Sequence, residues 1–467
     1  MKHVHLIGIC GTAMATLAVL LKQRGLDVRG SDEHTYPPMS DFLAAHGIVP
    51  LQGFRAEHIS GDVDTVVIGN ALSRGNPEVE AVLDQRVRYV SLPEIVREEF
   101  LWTSRPIVVA GTHGKTTTAF MTAWALAEAG ADPSFLIGGV SKNFETSGRI
   151  GGGGTFVIEG DEYDSAFFDK TAKFLKYLPE IVVVTGVEFD HADIYRDVDE
   201  LRVAFTRLIR LVPRTGRALL CADDPEAAAL RDVAPCAVET FGVDESADWR
   251  AADIRHDATA TVFEIIHHGE AVTRMTLPLL GTFNVRNALA ATAAAAAVDV
   301  RPEMTADALS RFLGVRRRLE VRGVARDITV YDDFAHHPTA VRETLLALRA
   351  TPVEGRIWAV FEPRSATACR RVFQGEFVEA LAVADEVVVA AVYRSTLPDA
   401  ERLSVEQVVA DLGARGVSAR YLPTVEEVIT AVARDARPGD RVVIMSNGDF
   451  GGIHLRLLAR LESEASG

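Results

Sequence analysis

The chain has 467 residues, 48% hydrophobic and 24% charged, a soluble globular composition whose length exceeds what one core organises and points to roughly three domains of about 150 residues. A net charge of −16 argues against a nucleic-acid polymer as the main partner, because neutralising phosphates needs a broad basic face, whereas a small anion needs only a local positive pocket. The cysteines Cys10, Cys221, Cys236 and Cys369 show no paired metal spacing, no signal peptide precedes the first strand-like run, and no apolar stretch is long enough to span a bilayer, so a reduced, cytoplasmic setting with no membrane partner is expected.

From the N-terminus, "VHLIGICGTAM" predicts a strand feeding a glycine turn, and "DVRGSD" and "TVVIGN" alternate with helix-like stretches as a parallel α/β unit does. Gly8 and Gly11 stand where a dinucleotide turn has its first glycines, but Ala13 and Met14 occupy the positions after them, and Asp32 comes at the distance of a ribose-binding acid. A fingerprint so degraded is weak evidence for NAD, and the alternative for Asp32 is a turn carboxylate. A turn-like Ser104-Arg105-Pro106 marks a boundary.

Next comes "VVAGTHGKTTTAF", Val108 to Phe120, an apolar strand breaking into glycine and then a lysine with three threonines before a helix-like run. Only Thr112 and His113 separate Gly111 from Gly114, fewer than in the common phosphate loop. The physical elements are nonetheless complete. Backbone N–H groups from Gly111 to Thr117 form an anion nest at a helix N-terminus, Lys115 reaches the outer phosphates, and the Thr116 hydroxyl serves magnesium. The alternative is a strand-turn-helix with a surface lysine. A magnesium nucleotide also needs carboxylates, and two apolar strands end in them: "TFVIEGDEYD" with Glu159, Asp161 and Glu162, and "IVVVTGVEFDHAD" with Glu188, Asp190, His191 and Asp193. Because ligands sit beyond the carboxyl edge of an open α/β sheet, Glu159 and His191 are expected to join Thr116 as magnesium ligands rather than to be a capping carboxylate and a surface histidine.

A polar, alternating region from Val238 to Met275 predicts antiparallel strands, and Ala288 to Val298 a buried helix too short for a membrane. After "RRRLEVRG", the runs "ITVYDDF", "IWAVFEP", "EVVVAAVY" and "RVVIMSN", separated by helix-length segments, predict a second doubly wound sheet. The expected fold class is α/β with three domains: Rossmann-like over 1–104, a P-loop ATPase-like, mostly parallel sheet over 105–319, and Rossmann-like again over 320–467.

"AGTHGKTTT", "EGDEYD", "EFDHAD", "GTFNVRN" and "YDDFAHHP" resemble, in this order and over essentially the whole chain, the Mur ligase family, which uses ATP to join UDP-N-acetylmuramate to an amino acid or peptide. "GICGTAM", "SDEHTYPPMS", "GNALSRGNP", "DEYDSAFFDKTAKF", "FEPRSAT" and "SNGDFGGIH" resemble the branch that attaches the tripeptide L-Ala-γ-D-Glu-meso-diaminopimelate in peptidoglycan recycling. The resemblance implies ATP and Mg2+ as cofactors, with UDP-N-acetylmuramate and the cell-wall tripeptide as partners. It places Lys115 on the β and γ phosphates, Thr116 and Glu159 on one magnesium and His191 on a second. Asn284 and Asn287 match the adenine-pocket segment, where Phe283 replaces the family's usual histidine and either stacks on adenine or belongs to the core.

The same resemblance brings Arg318, among Arg316 to Arg318, to phosphate or ribose, and Asp332 toward the nucleotide. His336 enters the catalytic set with Lys115 and His191, and His337 and Arg364 face the peptide substrate. Gly8, Cys10, Gly11, Thr12, Asp32 and Asn70 hold the UDP-sugar. Paired His336 and His337 also suit zinc, but no cysteine or further histidine stands near them at ligand spacing, so zinc is not expected. Two alternatives remain: a UDP-N-acetylmuramate:L-alanine ligase, against which Thr367 stands where that enzyme has a second arginine, and, from another class, an NAD-linked oxidoreductase built on the N-terminal turn.

Overall fold

A computed structural model describes residues 2–190, 194–393 and 397–465. The predicted apolar runs all become strands, and they assemble into three main sheets. The first is a five-stranded parallel sheet ordered Leu51–Gln52, Asp27–Asp32, His3–Ile7, Thr65–Ile68, Tyr89–Ser91. Gly8 turns the chain out of the central strand at φ +82, a conformation that costs glycine nothing, and the N–H groups of Gly8 and Ile9 donate to Ser31 O at 2.9 and 3.0 Å. The helix Thr12–Gln23 starts there and buries Met14 to Leu21.

The second sheet has ten strands. Its middle runs Trp249–His256, Ala237–Gly242, Arg217–Cys221, Ile181–Val184, Arg105–Ala110, Thr155–Gly160, Ser134–Leu136, with every neighbouring pair parallel. Thr261–His267 and Glu270–Leu277 extend one edge antiparallel, and Gly148–Arg149 caps the other. The alternating region thus folds antiparallel only from Trp249 onward. Ala237–Gly242, also expected to be antiparallel, lies parallel beside Arg217–Cys221, because its three buried residues Thr240 to Gly242 continue the buried parallel core. Helices Lys115–Glu128 and Thr282–Ala296 pack on this sheet and against each other, and the buried alanines Ala288 to Ala295 let their backbones approach closely.

The third sheet is ordered Glu320–Ala325, Ile328–Asp333, Arg441–Met445, Ile357–Phe361, Glu386–Val389, Ser418–Tyr421; its first pair is antiparallel and the rest parallel. The strand last in sequence therefore lies between the two strands that begin the parallel set. The fold class is the expected α/β arrangement with three parallel-rich domains. One buried cluster runs from Val4 to Val315 through the first two sheets, while the third has its own cores on its two faces. Among the described residues no helix is long and apolar enough to cross a membrane.

Phe120 sits fully buried in the phosphate-turn helix, edge-on to Phe135 at 5.9 Å between ring centroids. Phe120→Ala is expected to cost about 3–5 kcal/mol, because the cavity between two packed layers cannot collapse. Urea unfolding followed by far-UV circular dichroism checks it.

Candidate functional site

The strand Arg105–Ala110 lies between Thr155–Gly160 and Ile181–Val184, so three strand ends carrying Gly111 to Lys115, Glu159 to Glu162 and Thr185 to Asp190 open at one edge. Gly111 and Gly114 take φ +127 and +81, and a Cβ on Gly114 would overlap the Asn287 side-chain oxygen. The two-residue spacing is therefore a tighter turn that still delivers Lys115 to the first position of its helix. Lys115 Nζ donates to Gly111 O at 2.6 Å and to Glu162 Oε2 at 2.8 Å. Burial works against its charge, but Glu162, Asp161 and Glu159 outweigh burial and hold the ammonium above its usual range.

Thr116 Oγ1 donates to Glu159 Oε1 at 3.0 Å, and the Gly138 N–H donates to Glu159 Oε2 at 2.7 Å. Burial, with Asp161 nearby, pushes the Glu159 carboxyl up despite Lys115. Asp161 takes Lys173 Nζ at 2.7 Å. Three carboxylates, Glu159, Asp161 and Glu162, thus face two ammonium groups, Lys115 and Lys173, which leaves the pocket short of positive charge. An all-oxygen donor set with surplus negative charge suits magnesium, and among the described residues Thr116 and Glu159 could hold it. His191, the other expected ligand, lies outside the described residues.

A cleft of 1310 Å³ runs along this edge and draws its walls from all three domains. Of the residues singled out from sequence, Gly11, Thr12, Asn70, Thr112 to Thr117, Glu159, Asn287, Arg318 and His336 line it. So does Phe283, which stands at the cleft wall rather than in the core. Several others lie behind that surface. Asn284 is buried and bonds Leu280 O and Asn287, whose own oxygen accepts from Thr118, so Asn284 positions Asn287. Gly8 and Gly111 shape their turns. Asp32 accepts the Cys10 N–H at 2.9 Å and the His34 N–H at 3.3 Å, so its carboxylate braces the turn; burial and Asp32 push the Cys10 thiol up to about 11.

Asp332 is buried against Arg317 and His454, both at 3.4 Å, and its neighbour Asp333 lines the cleft instead. Arg364 lies outside the cleft lining, its guanidinium 3.9 Å from the centre of the Tyr393 ring and 3.7 Å from both Glu362 and Asp449. His337 is buried at the N-cap of helix Pro338–Arg349, where Nε2 donates to Phe189 O at 3.1 Å and Nδ1 accepts from Thr339 N at 3.3 Å. Burial and the neighbouring His113 lower its pKa, in keeping with a neutral ring.

Several residues of the sequence motifs also join the central and third domains, a task the sequence alone did not show. Glu188 accepts from Thr339 Oγ1 at 2.6 Å and pairs with His113 Nε2 at 2.9 Å, while Thr367 Oγ1 donates to Asp190 Oδ1 at 2.6 Å and His336 Nε2 lies 3.8 Å from Asp190. Burial pushes the Glu188 carboxyl up, but the His113 bond and His337 outweigh it and bring it down to about 2. Arg286, on the same helix as Phe283 and Asn287, bonds Glu343 at 2.8 Å across the same boundary. The partners in these contacts stand from 57 to 177 residues apart, and the motifs mark His113, Glu188 and His336 without showing what each pairs with.

Three sequence profiles cover most of the chain: the Mur ligase family catalytic domain over 3–100, the Mur ligase middle domain over 109–295, and the Mur ligase glutamate ligase domain over 317–448. The chain is 42% identical over 466 residues, 99% of each chain, to the UDP-N-acetylmuramate--L-alanyl-gamma-D-glutamyl-meso-2,6-diaminoheptandioate ligase of Escherichia coli strain K12. It is 33% identical, over 99% of its own length and 94% of the relative's, to a UDP-N-acetylmuramate--L-alanine ligase of Syntrophus aciditrophicus. The crystal structure of a murein peptide ligase from Psychrobacter arcticus 273-4 superposes with a TM-score of 0.72 at 36% identity, covering 99% of both chains.

The raised Glu159 pKa carries a sign. A folded pKa above the unfolded one means that the folded state holds the proton more tightly, so the penalty for the charge is absent below the unfolded pKa and complete above the folded one. Glu159→Gln is therefore expected to raise the unfolding midpoint of the ligand-free protein at neutral pH. The gap should narrow as pH falls into the carboxylate range, which thermal unfolding across pH measures.

Proposed function

The chain belongs to the Mur ligase family, and from that premise we propose that it is a cytoplasmic ATP-dependent ligase that joins L-Ala-γ-D-Glu-meso-diaminopimelate to UDP-N-acetylmuramate in peptidoglycan recycling. The observation that carries the reading is the cleft in which Thr12 and Asn70, then Lys115, Thr116 and Glu159, then Arg318 and His336 meet from three domains. Three reactants must converge on one point in such a ligation. Residues 1–104 hold the UDP-sugar, 105–319 the ATP and 320–467 the peptide.

A free carboxylate is a poor electrophile because its oxygen is a poor leaving group. The lactyl carboxylate of UDP-N-acetylmuramate attacks the γ-phosphorus of ATP, ADP departs, and the acyl phosphate so formed carries phosphate as a good leaving group. Lys115 neutralises charge on the transferred group, as a cation at a helix N-terminus does. Magnesium held by Thr116 and Glu159, with a second ion on His191, supplies further charge neutralisation when bound. The alanyl amine of the peptide then attacks the acyl carbon, and the tetrahedral intermediate collapses with release of phosphate. His336, beside Asp190, is placed to take the amine proton. Arg318 and Asn287 face the nucleotide, and Arg364 orders the peptide side.

The same chemistry with free L-alanine is the closest competing reading. Thr367, which stands where that enzyme has its second arginine, spends its hydroxyl on Asp190 and offers no charge to a small carboxylate. The oxidoreductase reading leaves Lys115, Glu159 and Glu162 without a use and finds the Asp32 carboxylate engaged by its own turn.

In a coupled ADP-release assay with UDP-N-acetylmuramate, the tripeptide is expected to support turnover far better than L-alanine; the reverse preference overturns the tripeptide assignment. Lys115→Ala should lower turnover by at least about 10²–10³. Arg364→Lys should weaken tripeptide use while leaving the KM for ATP and UDP-sugar nearly unchanged, since a point charge does not reproduce a planar two-pronged contact with a carboxylate. An equal rise in all three KM values would place Arg364 in general folding rather than acceptor binding.

A further inference from the structure

We propose that His113, Glu188 and His337 form a binding site for one late first-row divalent metal ion of the zinc or cobalt class, separate from the oxygen-lined magnesium position at Thr116 and Glu159. Each residue offers one ligand atom, and the three atoms lie within 4.8 Å of one another. His113 Nε2 is 2.9 Å and His337 Nδ1 3.8 Å from Glu188 Oε2. Ligands at about 2.0–2.2 Å from a tetrahedral ion stand roughly 3.3–3.6 Å apart, so small side-chain shifts complete the geometry.

The surroundings are those that ligating groups require. His337 Nε2 donates its hydrogen to Phe189 O at 3.1 Å, which puts the lone pair on Nδ1, the atom turned toward Glu188. An ion would displace the long 3.3 Å contact from Thr339 N to that nitrogen and the 2.9 Å hydrogen bond between His113 Nε2 and Glu188 Oε2. Glu188 Oε1 is fixed by Thr339 Oγ1 at 2.6 Å, which aims Oε2 at His113 Nε2 and His337 Nδ1, the two other ligand atoms. An imidazole tied to a carbonyl and a carboxylate tied to a hydroxyl are the supports that orient metal ligands and raise their basicity. His337 is buried, whereas His113 and Glu188 border the cleft, so water can take the fourth position. Two imidazoles and one carboxylate favour zinc over magnesium.

Along the chain His337 has no further ligands near it, but the fold brings them from 149 and 224 positions away in sequence. A bound ion would staple the phosphate turn to the third domain, whose movement gates entry and release. Among the described residues, the other histidine-carboxylate group, Glu239 with His267 and His268, is less available because Glu239 already accepts from Trp249 Nε1 at 2.6 Å and from Arg217.

Titrating Co2+ into the nucleotide-free, full-length protein in excess Mg2+ tests the site. One equivalent should produce the intense visible absorption of four-coordinate cobalt. The apparent Kd should rise at least about tenfold in His113→Ala and in His337→Ala and stay unchanged in His268→Ala. His113→Ala decides alone if the buried His337 variant misfolds. No visible band, a weak octahedral band, or a band lost only in His268→Ala overturns the proposal.

Discussion

Holding the Lys115 ammonium, largely withdrawn from water at the cleft wall, is the constraint on which the central domain depends. A lone buried ammonium is prohibitively costly, and the turn alone offers it only carbonyl oxygens. Glu162 supplies the countercharge, and its own backbone is pinned where Tyr195 Oη donates to Glu162 O at 2.7 Å. Tyr195 comes after the Ile181–Val184 strand, so the strands on both sides of the phosphate turn are committed to holding one cation. This explains why the acidic run after Thr155–Gly160 is so dense. Glu162 balances Lys115, Asp161 balances Lys173, and Glu159, half-buried and bonded by the Thr116 hydroxyl and the Gly138 N–H, has no ion-pair partner among the described residues, where a metal nucleotide would bring positive charge.

The same economy extends across the domain boundary. Glu188 touches the phosphate turn through His113 and the third domain through Thr339, so one carboxylate reports the position of both. The hinge is equally committed. Arg317 and Leu319 adopt φ +59 and +47, which costs non-glycine residues of order a kcal/mol each. Arg317 offsets this by donating to Ser446 O and Gly448 O at 2.6 and 2.5 Å, tying the linker to the strand that lies between Ile328–Asp333 and Ile357–Phe361. The position of the third domain is thus set by a few polar contacts at the cleft edge together with a small apolar contact, in which Phe189 and Leu280 pack against the third domain's core.

Legibility in the sequence tracks the strength of the local signal. Buried parallel strands are continuous apolar runs, and every such run became a strand; Ser418–Tyr421 and Leu51–Gln52, short polar edge strands, carry no such pattern. The phosphate turn was readable because its function resides in consecutive residues. Asp332 and Asp333 were not separable, because a strand's alternation sends one inward and one to the cleft, and which is which depends on register with Arg441–Met445. His337, expected to face the peptide substrate, stands at a helix N-cap, a position the sequence does not announce because an imidazole beside a proline at a helix start suits either task.

Charge shows most clearly why local arrangement, not composition, decides binding here. At −16 the protein as a whole repels the anionic nucleotide and UDP-sugar that the family uses. Yet Arg286, Arg316, Arg317, Arg318, Arg322 and Arg342 line the cleft, most of them from the hinge or the third domain. Some are partly spent: Arg286 on Glu343, and Arg317 on Asp332 and the Ser446 carbonyl. Low-dielectric walls focus the field of the remainder into the cleft, while salt screens the distant acidic surface within about 8–10 Å. The attraction is therefore assembled only when the third domain stands against the central one. Domain closure and substrate charge then favour each other, and the acidic exterior has little influence on what the cleft selects.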